Sequence, residues 1–149
     1  MSRRVAVGSF DEWRGAARTL LAQAVPPHDV DWAAPGEADL FGNDVLAAAS
    51  APSFSLRISS SLLSLLEAAS CFRVADRWAL LYRVLWRSQQ GDAAVLSAAD
   101  QDGARLHAMV KAVRREQHKM HAFLRFRERG PEAGAPRFIA WFEPAHDVL

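Results

Sequence analysis

The chain has 149 residues, of which 50% are hydrophobic and 23% charged, with a net charge of +1 and a single cysteine, Cys71. That is chain enough for one globular core. It excludes an intrachain disulfide and a cysteine-built zinc knuckle, and no apolar run approaches the roughly 20 residues of a membrane helix. The first ten residues lack the apolar core of a signal peptide, and sparing use of cysteine suits a reducing compartment. The expectation is one cytoplasmic domain over residues 1–149.

Arg4 to Ser9 alternates weakly and reads as a short strand. Ser9 followed by Glu12 has the spacing of a capping box. The helix it opens carries Phe10, Trp13, Ala17, Leu20 and Leu21 at helical spacing and is expected to reach about Ala24, with Pro26-Pro27 as its stop. Val30 to Ala33 reads as a second strand. Residues 34–55 are rich in Ala, Gly, Pro, Ser and Asp and read as a long surface loop. Ser59 to Cys71 and Ala75 to Ser88 read as amphipathic helices. The second sets Trp78, Leu81, Tyr82, Leu85 and Trp86 on one stripe, a pattern that means core packing rather than a cofactor box. Gly91 ends it. Val95 to Ala99 reads as a short helix, and Asp100 as the cap of the next.

That next helix is expected from Asp102 to about Met120. It would bury Leu106, Met109, Val110, Val113 and Met120, and it would turn Lys111, Arg114, Arg115, His118 and Lys119 to the opposite side. Gln117 falls in the apolar stripe and is expected to need a hydrogen-bond partner. The period then changes to two. Leu124 and Phe126 alternate with Phe123, Arg125, Arg127 and Arg129, and Arg137 to Glu143 alternates again after the turn-rich stretch Gly130 to Pro136. Two alternating runs around a Gly/Pro loop predict an antiparallel hairpin, one face packed on the helices and the other presenting Phe123, Arg125, Arg127 and Trp141. The fold expected is α+β: helices packed on a small antiparallel sheet that includes this C-terminal β-hairpin.

Charge is segregated along the chain. Residues 1–55 hold four arginines against seven acids, residues 56–104 five against five, and residues 105–149 nine basic groups against five acids. Such a local concentration of cations beside aromatic rings suits a polyanion. The candidate nucleic-acid contacts are Lys111, Arg114, Arg115, His118, Lys119, Phe123, Arg125, Arg127 and Trp141, the cations for phosphate and the rings for bases. The bland alternatives are a solvated helical face, or rings in the core with the arginines solvated or paired to Glu128 and Glu143. Ala122 to Phe126 also matches half of the RNA-recognition-motif signature, but here a helix precedes the strand, whereas that motif needs a four-stranded sheet.

Other chemistry is weaker. His118 and His121 are spaced to share a metal, with Glu143 and His146 as further ligands, yet their neighbours are cationic and disfavour a dication. Glu143 is the best-placed acid or base, and a salt bridge to Arg125 or Arg127 competes for it. Cys71 lies among core-like residues. No phosphate-cradling glycine loop occurs. The sequence therefore assigns no catalytic residues, metal or cofactor. The leading reading is an accessory domain without an activity of its own. A rival is an enzyme using His118 and Glu143, which needs those two side chains to converge in a cleft.

Several segments carry a resemblance: Asp11-Glu12-Trp13-Arg14 through Leu20-Leu21, Leu80-Leu81-Tyr82-Arg83 with Leu85-Trp86-Arg87, Val113 to Met120 with Ala122 to Arg127, and Phe138-Ile139-Ala140-Trp141-Phe142-Glu143-Pro144. Together they resemble a bacterial family of DNA-metabolism proteins of unknown function. Members of that family accompany a radical-SAM protein that resembles spore photoproduct lyase, and others are fused ahead of a uracil-DNA glycosylase superfamily domain. The resemblance implies a setting in DNA repair or modification, with DNA as partner. It equally implies a docking role toward the radical-SAM protein or the glycosylase domain, without direct DNA contact. It supplies no catalytic residues. Two departures stand out: the family often has a Cys-His pair where this chain has Cys71-Phe72, and it continues past the Trp-Phe-Glu-Pro block into an aromatic, arginine-rich segment. This chain stops at Leu149, which implies a short member or a domain lacking that segment.

Overall fold

The computed structural model describes residues 2–36 and 56–148. Most of the loop expected over 34–55 lies outside them. Strand β1 (Arg3–Ala6) leads into helix α1 (Phe10–Ala22), and strand β2 (Val30–Ala33) follows. Because a helix joins them, the two strands enter from the same end and pair in parallel, with Val5 opposite Trp32 and Ala6 opposite Ala33. Helices α2 (Ser60–Ser70), α3 (Arg77–Gln89) and α4 (Gln101–Phe123) come next, with a 3-10 turn, Ala93–Leu96, between the last two. The chain ends in a hairpin of strands β3 (Arg127–Glu128) and β4 (Phe138–Ile139), antiparallel, with Arg127 opposite Ile139.

The α+β class and the C-terminal antiparallel hairpin are as expected. The sheet is not. The described residues form two separate two-stranded sheets, one of them parallel, and the hairpin is not part of the sheet that packs on the helices. The caps follow the sequence closely. Ser9 Oγ accepts from Glu12 N at 3.3 Å, Ser59 Oγ from Leu62 N at 3.2 Å, and Asp100 Oδ1 from Asp102 N and Gly103 N at 2.9 and 3.0 Å. Glu12 completes the first cap by reaching Gly8 N at 2.7 Å. Helix α1 stops before the prolines. Ala24, at φ 52°, takes the left-handed turn of a Schellman closure, with Ala24 N bonded to Leu21 O and Val25 N to Leu20 O, both at 3.0 Å. Gly91, at φ 83°, closes α3 in the same way.

Helix α3 is the centre of the fold. It touches α1, α2, α4 and β2, and it buries Trp78, Leu80, Leu81, Tyr82, Val84 and Leu85, more than one stripe. Trp13 of α1, 1% exposed, lies 5.5 Å from the Phe10 ring and 6.3 Å from Trp78, both stacked, and donates from Nε1 to Trp78 O at 3.2 Å. Tyr82 donates to Val25 O at 2.7 Å, and burial pushes its hydroxyl pKa well up. No helix of the described residues is long and apolar enough to cross a membrane.

A cluster of ion pairs joins α3 to the start of α4. Arg87 reaches Asp92, Asp100 and Asp102 at 2.7, 2.7 and 3.1 Å; Arg83 grips Asp102 through two bonds of 2.7 and 2.9 Å; Arg105 grips Asp76 at 2.5 Å. Bidentate guanidinium–carboxylate pairs are the geometry in which such contacts count. The carboxyls respond. Arg83 holds Asp102 below the usual carboxylate range, Arg105 does so for Asp76, and Arg87 with the Gly103 N–H brings Asp100 down to about 2. A folded-state pKa below the unfolded one, about 4, stabilises the fold above pH 4, and that stability is lost as pH falls through the folded value. The urea midpoint is therefore expected to drop steadily between pH 5 and pH 2, and Arg87→Gln should flatten the dependence. A midpoint unchanged across that window would count against the cluster.

Candidate nucleic-acid interface

Helix α4 runs for 23 residues and ends beyond the expected Met120, at Phe123. Its start is fixed by the Asp100 cap and the arginine cluster. Its middle is fixed by Leu106, Met109, Val110 and Val113, all buried. At about 100° per residue these lie on one side. Lys111, Arg114, Arg115, His118 and Lys119 occupy the other, and all five are exposed. Between Ala104 and Phe123 the sole acid is Glu116, and it is 9% exposed. Glu116 accepts from Lys119 Nζ at 2.8 Å and from Ala145 N at 3.2 Å, and these bonds lower its pKa, Lys119 first. The outer face of α4 thus carries cations with no exposed carboxylate among them.

Gln117 was expected to be the polar residue of the buried stripe, and the structure corrects this: it is half-buried, and Glu116 takes that place. At about 100° per residue Gln117 lies within the stripe and Glu116 at its edge, and the C-terminal tail reverses that order. That tail docks. Asp147 N bonds Cys71 O at 2.9 Å and the Asp147 carboxylate meets Arg73 at 2.7 Å and Arg77 at 3.4 Å. His146 stacks on Phe72 with centroids 4.1 Å apart, and its Nδ1 accepts from Arg73 N at 3.3 Å. His146 is thereby engaged in packing the tail. Among the described residues no three His, Cys, Asp or Glu gather as metal ligands. Cys71 is half-buried, and burial raises its thiol pKa.

The hairpin departs further from the sequence reading. Phe123 is the last residue of α4 rather than a strand residue, so its placement is helical. From Arg125 to Trp141 only Arg129 is as much as half-buried, so no face of this stretch packs on the helices. Phe126, Phe138 and Ile139 are 67%, 51% and 47% exposed, Phe123 67% and Trp141 84%. Two-residue strands give too little pairing to hold a longer ladder. Arg125 and Arg127 are exposed; Arg125 donates to the Ala122 and Leu124 carbonyls at 3.1 and 3.4 Å, at the C-terminal end of α4. Arg129 and Arg137 stay within the hairpin. Arg129 bonds Ala133 O at 2.9 Å, and Arg137 pairs with Glu128 at 2.5 Å and lies 5.3 Å from the centre of the Phe138 ring. Glu128 is thus paired within the hairpin, by Arg137, rather than by an arginine of the basic patch.

All nine candidate contacts are exposed. The α4 cations share one face of one helix; Phe123 and Arg125 follow at its end, and Arg127 and Trp141 sit on the two arms of the hairpin. This is an α+β domain whose exposed cations and rings concentrate in its C-terminal part. A family model described as a domain of unknown function, DUF4130, matches residues 75–149. The chain belongs to that family, and the matched half contains α3, the arginine cluster, α4 and the hairpin. No curated protein and no solved structure matches the chain.

Proposed function

We propose that this protein is an accessory DNA-binding domain of DNA repair or modification, in which the outer face of α4 and the hairpin contact phosphate. The observation that carries the reading is the carboxylate-free exposed face of α4. Cations without neighbouring acids release the counterions of a polyanion on binding, and this term dominates sequence-independent affinity for nucleic acid. Arg114, Arg115 and Arg127 have no acid partner among the described residues, and Lys111 and His118 likewise offer their charge or hydrogen bonds outward. The likeness to proteins that accompany a radical-SAM protein or precede a uracil-DNA glycosylase domain supports the same setting.

Binding measured against salt tests it. Association with DNA is expected at low salt and to weaken as salt rises. Arg114→Ala/Arg115→Ala should lower the salt slope by about two phosphate contacts, a change of roughly 1.4 to 1.8 in the logarithmic slope. No association at low salt, or an unchanged slope, rejects the reading. The exposed Phe126, Phe138 and Ile139 favour a second one. There the hairpin docks a radical-SAM protein or a glycosylase domain without touching DNA, as apolar patches of this kind do. Capture of such a partner by a chain that ignores DNA is its signature.

A further inference from the structure

We infer that the ligand of this face is a single strand with unpaired bases, rather than a duplex; the inference rests on the phosphate-binding role of α4 proposed above. Phe123, Phe126, Phe138, Ile139 and Trp141 are the exposed large hydrophobic side chains of the described residues, and all lie between positions 123 and 141. Elsewhere among the described residues the rings are withdrawn: Trp13, Trp78 and Tyr82 are buried, Phe10, Trp32, Phe72 and Trp86 are half-buried against the core, and Phe142 is half-buried. Ring exposure therefore begins where the cation track of α4 ends. Phe123 closes the helix four residues after Lys119. Across the hairpin, Arg125 and Trp141 each lie two residues beyond the pair Arg127–Ile139 on their own arms.

Duplex DNA answers only half of that surface. Its base faces are stacked on one another, so it offers phosphate and groove edges to a protein and nothing flat for an exposed ring to cover. An unpaired strand offers phosphate along its backbone and a π-face at every base. A base stacked on an aromatic side chain contributes roughly five- to hundred-fold in affinity, whatever the base. Counterion release per phosphate is slightly larger for duplex than for single strand, so cations alone favour duplex and the rings reverse the order. From Lys111 to Phe123 the helix rises about 18 Å, a track along which an unpaired backbone can lay several phosphates before it meets the rings.

The full chain titrated into a labelled mixed-sequence oligonucleotide of about 12 nucleotides, alone and annealed to its complement, tests this by fluorescence anisotropy. The single strand is expected to bind at least tenfold more tightly than the duplex. Phe123→Ala/Trp141→Ala should remove that preference by weakening single-strand binding at least tenfold, and both side chains are exposed enough for the fold to survive, which a thermal melt verifies. Equal affinity for the two forms, or a preference that persists in the ring variant, overturns the inference while the phosphate contact of α4 stands. Absence of binding to either form removes the phosphate reading and this inference with it.

Discussion

Trp13→Ala is expected to destabilise the domain by about 3–5 kcal/mol, the range for emptying a fully buried large aromatic site. Trp13 is not merely one apolar residue among many. Its ring stacks on Phe10 and Trp78 and sits 6.4 Å from Trp32, so it joins α1, α3 and the parallel strands at one point. Its Nε1 donates to a carbonyl of α3. Truncation therefore removes the contacts that connect three elements, and the neighbouring rings are too large and too constrained to collapse into the space. Equilibrium urea unfolding measures the loss, and the exposed face of α4 provides the control, because Arg115→Ala should stay within about 0.5 kcal/mol of the parent. A cost below about 1 kcal/mol for Trp13→Ala would mean that α1 contributes little to the core.

Local signals were readable in the sequence where they act over one turn. Ser9, Ser59 and Asp100 have cap chemistry, and each caps a helix within a residue or two of the expected start. The stripe of α3 and the cations of α4 follow from a period of 3.6. Signals that depend on what the chain meets elsewhere were not readable. Arg83 and Arg87 lie one turn apart and three aspartates follow within 15 residues of Arg87, yet nothing local says that Asp92, Asp100 and Asp102 converge on one guanidinium. Helical angle puts Gln117 in the apolar stripe and Glu116 at its edge, yet Ala145, 29 residues away, bonds Glu116, and Glu116 is the buried one. In the hairpin the alternation was real but did not imply burial. The apolar residues at Phe126, Phe138 and Ile139 meet no layer beneath them, and a period of two specifies which side chains share a face, never that the face is covered.

Gly103→Ala is expected to destabilise by about 1–3 kcal/mol, against the usual sign for a glycine in a helix. Alanine at a helical position ordinarily gains roughly 0.5–1 kcal/mol over glycine. Gly15 in α1 should show that gain, since a Cβ there would have nothing within 4 Å. At Gly103 the same Cβ would fall 2.2 Å from Ser97 O and 2.6 Å from Val95 O. Both are backbone atoms of the segment leading into α4, so no side chain can swing aside, and overpacking of this kind carries the stated cost. The displacement would also act on a crowded corner: Gly103 N is bonded to Asp100, and Asp100 is held by Arg87. The first turn of α4 and the arginine cluster must move together, which ties the placement of the basic face to one missing methyl group. Paired urea titrations of Gly15→Ala and Gly103→Ala decide it. Opposite signs are the expected result, and stabilisation by both would mean that α4 begins further from the 3-10 turn than the structure places it.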